Sequence, residues 1–364
     1  MGDEKMENFL PPYLQNNAVV RALNDTYTYF SERRQSLGLS NPGTVENVNR
    51  EVQRDVFLNN FMFSGLRADI NRPLSVSPLF QYSHSFAMGS QGLPPYGFSA
   101  IYGSRKWFLQ GNLDNDGQLI ARTNYKWSNS FVTKCQTQIA SGPGQAVINI
   151  DNEITGKDFT ASLKTINPQL IEGGLTGVVI GSYLQSITPS LALGFETMWQ
   201  RVAMNSGPET ALSYVARYKG SDWIASAQVL QAQSAFNTSY WRRLTDKVEA
   251  GVDLNLQFMP GMGGGGLMGG GGLMGGGMRK EGTTTVGAKY DFRTSTFRAQ
   301  LDSSGRLSCL LEKRVLPPVQ ITFAGEMDHL KQTAKVGLAV SIEVASEDMM
   351  NLAGADAAPP SVPF

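Results

Sequence analysis

The stretch "KVGLAVSIEV", residues 335–344, carries an aliphatic side chain at every second position. The aliphatic set is Val336, Leu338, Val340, Ile342 and Val344, and the intervening set is Lys335, Gly337, Ala339, Ser341 and Glu343. A period of two indicates a β-strand with one face in an apolar environment and the other in a polar one. The nature of that apolar environment decides the fold.

The same period begins near Phe61 and continues through most of the remaining chain. It predicts about nineteen strands, for example at 174–186, 248–259 and 282–293. Short glycine-bearing turns separate them, such as "DNDG" at 114–117 and "SSG" at 303–305. Turns this short join antiparallel neighbours, so we expect a meander.

One apolar face on so many strands restricts the architecture. A sandwich would need a very large second sheet, and a propeller or solenoid would show a repeat, which we do not find. A single sheet closed on itself fits more simply, with its apolar face toward lipid and its polar face lining a lumen. No run approaches the ~18 to 20 apolar residues of a spanning helix. We therefore predict an all-β transmembrane barrel.

An odd number of strands makes the first and last strands parallel where the barrel closes. The chain then enters at one rim and leaves at the other. Aromatic residues close to predicted turns are candidates for interfacial girdles, with an ordinary core as the alternative: Tyr96, Trp107, Tyr125, Trp127, Trp199, Tyr218, Trp223, Tyr240 and Trp241.

Two helices are predicted before the first strand, at about 17–38 and 44–60. In the second, Val45, Val48, Val52 and Val56 form one narrow stripe, which favours docking on a surface. The helix lies either inside the lumen against the wall or outside on the rim; we expect the lumen. The domain layout is an N-terminal extension at 1–60, a barrel at 61–345 with a Gly/Met-rich loop at 260–281, and a tail at 346–364 with a short helix.

Composition argues against several functions. Lys+Arg 31 balances Asp+Glu 31, so no net charge indicates a nucleic-acid partner. Two cysteines and two histidines are too few and scattered for a metal site, and the glycine tract near 261–266 matches a nucleotide loop only by composition. We predict no catalytic site, no metal and no cofactor. The acidic, proline-containing N-terminus lacks the pattern of a cleaved targeting peptide.

Two passages of the sequence resemble a known protein family. "SNPGTVENVNREVQRDVFLNNFMFSGLRADI" (residues 40–70), followed by "SPLFQYSHSFAMGS" (77–90), closely resembles the Tom40 family, in its fungal form. These are the channel subunits of the mitochondrial outer-membrane protein translocase, the TOM complex, within the mitochondrial porin superfamily. The final strand also resembles the sorting signal of mitochondrial barrels, in which Lys335, Gly337, Val340 and Ile342 fill the polar, glycine and hydrophobic places.

The resemblance implies a passive, hydrated pore of the mitochondrial outer membrane through which unfolded preproteins pass. It implies four kinds of partner: preproteins with basic amphipathic targeting peptides, receptor and small single-helix TOM subunits, membrane lipids, and further copies of the barrel. It implies no enzyme. A porin-like metabolite channel and a soluble β-rich binding protein are the alternatives.

Carboxylates on the polar faces are candidates for the substrate path, because the resemblance implies acidic patches that guide basic peptides. The candidates are Asp69, Asp151, Glu153, Glu249, Asp253, Asp291, Asp302, Glu326, Asp328 and Glu343. Basic candidates on the same faces are as numerous: Arg67, Arg122, Lys126, Lys164, Arg217, Lys219, Arg243, Lys289, Arg298 and Lys335. Grouping, rather than composition, must therefore set any preference for basic peptides.

Overall fold

Nineteen strands form one closed sheet in the computed structural model. The described residues are 34, 37–59, 61–76, 78–90, 92–142, 146–171, 174–201, 207–231, 234–259 and 279–344. The strands are β1 Gly65–Val76, β2 Leu79–Met88, β3 Tyr96–Gly103, β4 Trp107–Asp114, β5 Leu119–Lys126, β6 Phe131–Ile139, β7 Ala146–Thr155, β8 Phe159–Ile171, β9 Gly174–Ser186, β10 Leu191–Arg201, β11 Glu209–Lys219, β12 Trp223–Leu230, β13 Ala235–Thr245, β14 Val248–Met259, β15 Arg279–Asp291, β16 Ser295–Asp302, β17 Arg306–Leu316, β18 Val319–Asp328 and β19 Thr333–Glu343.

Each strand pairs antiparallel with its neighbour in sequence, and β1 pairs parallel with β19. The closing register sets Gly65 opposite Gly337 and Asn71 opposite Glu343. Closure leaves no unpaired sheet edge, which a β-structure surrounded by hydrocarbon requires. The predicted barrel with a parallel seam is confirmed.

The turns follow the local sequence. Gly117 and Gly305 have φ of 75° and 76°, a region that glycine enters without steric cost, and each closes one of the short turns noted above. The Asp114 carboxylate also accepts hydrogen bonds from the Asp116 and Gln118 amides, at 3.0 and 2.8 Å. Such turns hold neighbouring strands antiparallel and fix their register.

The two ends of the barrel differ in their connections. We call the end at which β1 begins, at Gly65, rim A. The longer connections between strands are at this rim, including the one between β14 and β15. At the opposite end, rim B, β19 ends at Glu343 and the strands are joined by turns of two to four residues. The first strand thus begins at rim A and the last strand ends at rim B, as expected for an odd number of strands.

The predicted regular helix at 44–60 is wrong in its geometry. A 3-10 turn at Val45–Asn47 and a π-helical turn at Glu51–Val56 replace it, with the Phe57 amide bonded to the Val52 carbonyl at 2.9 Å. Valines fit an α-helix poorly because their branched side chains crowd the preceding turn. The altered winding directs all four valines to one surface, where they are buried.

Three predicted elements lie wholly or mostly outside the described residues: the helix at 17–38, most of the 260–281 loop and the tail at 346–364. β15 begins at Arg279, within the predicted loop. Among the helices of the described ranges, none combines the length and the apolar character needed to cross a membrane.

Candidate functional site

Residues 40–58, which we call the lumen segment, run along the inner wall of the barrel. Val45 and Val48 pack on Leu184, Ala192 and Val215. Further along, Val52, Val56 and Phe57 cluster with Trp241, and Leu58 packs on Leu310 and Ala324. The segment therefore passes along the wall from β9 toward β18.

Glycines in the wall make room for the segment. A Cβ placed on Gly251 would lie 3.2 Å from a Val52 methyl carbon, and one on Gly287 would lie 2.8 Å from the Phe57 ring. These two glycines are directly opposite each other on β14 and β15. Together they form a shallow groove in which the π-helical turn lies.

Polar contacts fix the segment at intervals. Arg217 on β11 pairs with Glu51 at 2.5 Å and donates to the Pro42 carbonyl at 2.8 Å. Lys164 on β8 pairs with Glu46 at 3.0 Å. The Leu58 amide donates to Gln300 Oε1 on β16 at 2.8 Å. The anchors lie on widely separated strands, so the wall as a whole holds the segment.

The segment crosses the barrel from rim B to rim A. Asn41 donates from Nδ2 to the Gly156 and Phe159 carbonyls, at 2.8 and 3.0 Å, in the rim-B turn between β7 and β8. At the other end, Phe63 lies against Gly337 just before β1 begins at rim A. Both Asn41 and Glu343 therefore lie at rim B, although β1 itself begins at rim A.

The contacts of the lumen segment identify the inner face of every strand. Residues directly opposite one another in a sheet project to the same side, so the inner face passes from strand to strand through the register. From Arg217 it passes to Ala192 and on to Ser186, and in the other direction to Ser226 and Ser239. Carried around the closed sheet, the assignment agrees with itself across the seam, where Asp69 faces Ser341.

All ten predicted acidic residues project from this inner face: Asp69, Asp151, Glu153, Glu249, Asp253, Asp291, Asp302, Glu326, Asp328 and Glu343. The ten basic candidates share that face: Arg67, Arg122, Lys126, Lys164, Arg217, Lys219, Arg243, Lys289, Arg298 and Lys335. The inner face is therefore polar and carries both signs of charge.

Ion pairs divide the ten carboxylates. Four have a basic partner: Asp69 with Arg67 at 2.9 Å, Glu153 with Lys134 at 2.5 Å, Asp291 with Lys289 at 2.8 Å, and Glu326 with Lys335 at 4.0 Å. These pairs neutralise four of the ten carboxylates locally.

Other carboxylates have local roles. Asp253 is 9% exposed and accepts a hydrogen bond from Gln53 of the lumen segment at 3.0 Å. Asp328 accepts from the Leu330 and Lys331 amides, and Asp302 accepts from Ser304. Asp151, Glu249 and Glu343 form no ion pair with any described residue within 4.0 Å. The candidate acidic path therefore contains both neutralised and unpaired carboxylates.

Five inward carboxylates of the described strands were not among the sequence predictions: Asp114, Glu196, Glu209, Glu281 and Glu312. Glu196 on β10 lies opposite Ser182 and Ser213, and Glu312 on β17 lies opposite Thr296 and Thr322. Strict alternation in "LALGFETMWQR" and "RLSCLLEKRVL" is the signal that could have identified them. Glu196 shares a recess beside the lumen segment with Glu46, Asp151 and Lys164.

The outer face of the barrel carries large apolar side chains. One residue of the predicted aromatic girdle does not lie on this face. Large side chains such as Leu193, Phe195 and Phe323 are 41 to 49% exposed there. Trp241 was expected among the girdle residues, but it lies inside against the lumen segment, so that prediction is wrong. Tyr240 and Trp241 are adjacent in a strand, and only one of two adjacent residues can project outward.

The residues that match the sorting signal divide between the faces. Val340 and Ile342 project outward, whereas Lys335 and Gly337 project inward. A Cβ on Gly337 would lie 2.5 Å from the Phe63 carbonyl oxygen. In the folded barrel this glycine therefore allows the chain to turn from the lumen segment into β1.

Comparison with known proteins identifies relatives over most of the chain. A family model described as "Eukaryotic porin" matches residues 41–337. The chain is 54% identical over 340 residues to the "Mitochondrial import receptor subunit tom40" of Neurospora crassa, which covers 92% of this chain and 93% of the relative. It is 43% identical to the TOM40 protein of Saccharomyces cerevisiae, with coverage of 95% and 89%. A Xenopus tropicalis homologue is 27% identical, with 84% of each chain covered.

Proposed function

Because this chain belongs to the eukaryotic porin family, and within it to the Tom40 proteins, we propose that it is a protein-conducting channel of the mitochondrial outer membrane. It passes unfolded preproteins through the lumen as a subunit of the import translocase. The relatives named as mitochondrial import receptor subunits support this role. The barrel performs no chemical step and acts by offering a polar route through an apolar layer.

The observation that carries the proposal is the one-sided placement of acidic residues. Every Asp and Glu within the described strands projects inward, including Glu196 and Glu312 as well as the ten predicted residues. A targeting peptide with basic residues on one face therefore meets these strand carboxylates inside the lumen, whereas the outer face of the described strands offers none. Attraction of this kind concentrates a basic ligand without a single tight binding site.

Partial neutralisation suits transport. Carboxylates paired with lysine or arginine hold a passing cation weakly, whereas Glu249, Glu312 and Glu343 have no such partner among the described residues. A peptide can therefore exchange between several weak sites and leave. Dissolved salt screens the attraction between the peptide and the carboxylates. The Debye length is about 10 Å at about 0.1 M salt, so peptide binding should weaken at higher salt concentrations.

We further propose the partners that membership of the Tom40 family implies. Preproteins with basic amphipathic targeting peptides are the substrates, receptor and small single-helix subunits bind the outer face, and barrels associate with one another. The lipid bilayer covers the rest of the outer face. The N-terminal extension, the barrel and the tail form the functional divisions, and Lys335, Gly337, Val340 and Ile342 serve as the insertion signal.

Peptide block of the purified channel tests the proposal. The full chain is inserted in planar bilayers, and conductance is recorded with a basic amphipathic targeting peptide or an acidic control of equal length. We expect voltage-dependent block by the basic peptide alone. The double variant Glu312→Gln/Glu343→Gln should weaken block, while Asp116→Asn/Asp222→Asn, which removes equal charge from rim turns, should not.

A metabolite channel is the second candidate, since the matching family model is described as a porin. It predicts steady conductance with no difference between the two peptides. Equal block by both peptides, or unchanged block in the Glu312/Glu343 variant, would contradict the acidic path. Extraction of the chain from membranes by sodium carbonate would instead contradict both channel functions.

A further inference from the structure

Tyrosine and tryptophan side chains on the outer face are concentrated at one rim. The following lie within three residues of a rim-B strand end: Tyr82, Tyr102, Trp107, Tyr125, Trp127, Tyr183, Tyr218, Trp223 and Tyr290. Within the same distance of rim A, the described strands carry Tyr96 and Trp199. The aromatic girdle is therefore largely one-sided.

The rings are densest where β4 and β5 meet the β5–β6 turn. The Trp107 and Tyr125 ring centroids are 4.4 Å apart, and those of Tyr125 and Trp127 are 4.7 Å apart. Trp107 and Trp127 are 46% and 62% exposed. Indole and phenol rings of this kind favour the level of the lipid headgroups, because one end is apolar and the other is polar.

Two cations lie beside these rings. Arg105 and Lys106 form the turn that leads directly into Trp107, and both are exposed. Neither forms an ion pair or a side-chain hydrogen bond with another described residue. The neighbouring turn "WSNS", residues 127–130, contains no carboxylate. Within the described part of the chain, the positive charge of Arg105 and Lys106 therefore has no paired carboxylate.

We propose that Arg105, Lys106, Trp107, Tyr125 and Trp127 form a binding site for anionic phospholipid headgroups at rim B. The guanidinium and ammonium groups match a phosphodiester whose negative charge is not balanced by a cation in the lipid headgroup, and the rings fix the headgroup at interfacial depth. The outer face of the described strands carries no carboxylate that would repel such a lipid. The site requires only that the barrel lies in a bilayer, and it is independent of protein conduction.

Photocrosslinking with defined lipids tests the site. The purified full chain is reconstituted in phosphatidylcholine vesicles containing a photoactivatable lipid, either phosphatidylglycerol or phosphatidylcholine, and the modified peptides are mapped by mass spectrometry. We expect phosphatidylglycerol to label residues 104–107 and 125–130 more than phosphatidylcholine does. Rim-A peptides should show no such preference.

Charge variants distinguish a site at Arg105 and Lys106 from a general electrostatic attraction between the protein and anionic lipids. Arg105→Gln/Lys106→Gln should reduce the preference for phosphatidylglycerol by about fivefold for each cation removed. The matched control Arg306→Gln/Lys331→Gln removes two cations at rim A and should leave the preference unchanged. Equal labelling by both lipids at rim B, or an equal loss in both variants, would overturn the proposal. Peptide block of conductance is measured on the same samples, so failure of this site is distinguishable from failure of the channel function.

Discussion

Gly287 lies directly beneath Phe57, where a single added carbon would approach the ring to 2.8 Å. One residue belongs to the barrel wall and the other to the lumen segment, so their contact joins the two parts of the structure. The absence of a side chain at Gly287 is what allows the segment to lie flat on the wall. Several expected outcomes depend on this packing.

Filling the groove should displace the segment. Gly287→Leu forces a side chain into space already occupied by Phe57 and Val56, and overpacking of this type costs about 1 to 3 kcal/mol. Amide hydrogen exchange at residues 45–58 should accelerate. The control Gly111→Leu, at a position where a Cβ meets no atom within 4 Å, should leave that exchange unchanged; equal acceleration in both would contradict the groove.

Arg217 should be the strongest polar anchor of the segment. Its side chain is 15% exposed and that of Glu51 is 24% exposed, so Arg217→Gln leaves a largely buried carboxylate without its cation, at a cost of about 1 to 3 kcal/mol. Limited proteolysis between residues 41 and 58 should become faster. Adding Glu51→Gln should recover part of the loss, as a double-mutant cycle would measure.

Lys164→Gln provides the contrast for that experiment. It removes the pair with Glu46, whose side chain is 67% exposed, so the effect should stay below about 1 kcal/mol. A larger effect from Lys164 than from Arg217 would contradict the assigned order of the anchors.

Adjacent residues on one strand should respond oppositely to a charge. Val340→Arg and Leu254→Arg place a cation on the outer face, which costs about 2 to 4 kcal/mol near the bilayer midplane. Ser341→Arg and Asn255→Arg direct it into the lumen and should be mild. The measurement is the fraction inserted and folded in bilayers over a urea series; similar losses at positions 340 and 341 would refute the facing.

The sequence predicted most of the fold because a strand records its two environments in its own residues. The predicted strands at 174–186 and 248–259 coincide with β9 and β14. The alternation that located β14 also assigned Glu249 and Asp253 to the inner face. The boundary of β15 was less accurate, since Arg279–Gly282 continue the strand without apolar alternation.

Contacts between elements that are distant in the chain could not be predicted from the sequence. The valine stripe predicted a docked surface, yet the 3-10 and π-helical turns depend on the groove at Gly251 and Gly287, which β14 and β15 create only when paired. Trp241 was misplaced for the same reason, because its partner cluster comes from residues 52–57. Which carboxylates are neutralised also depended on cross-strand neighbours such as Lys134 and Glu153.

The native cysteines offer a direct probe of the outer face. Cys309 on β17 lies opposite Ala299 and Gly325 and projects outward, and Cys135 on β6 projects outward as well. In a Cys135→Ser background, a lipid-soluble maleimide should label Cys309 much faster than a charged one does. Rapid labelling by the charged reagent would contradict the lipid-facing assignment.

A cysteine scan of β19 in reconstituted bilayers tests most directly whether this sheet encloses a water-filled lumen. Single cysteines replace Val336, Val340 and Ile342 on one face, and Lys335, Ser341 and Glu343 on the other, in a chain with Cys135→Ser and Cys309→Ser. We expect a charged, membrane-impermeant maleimide to modify the second set and spare the first, in strict alternation. Labelling that ignores the alternation, or that favours positions 336, 340 and 342, would contradict a water-filled lumen enclosed by this sheet.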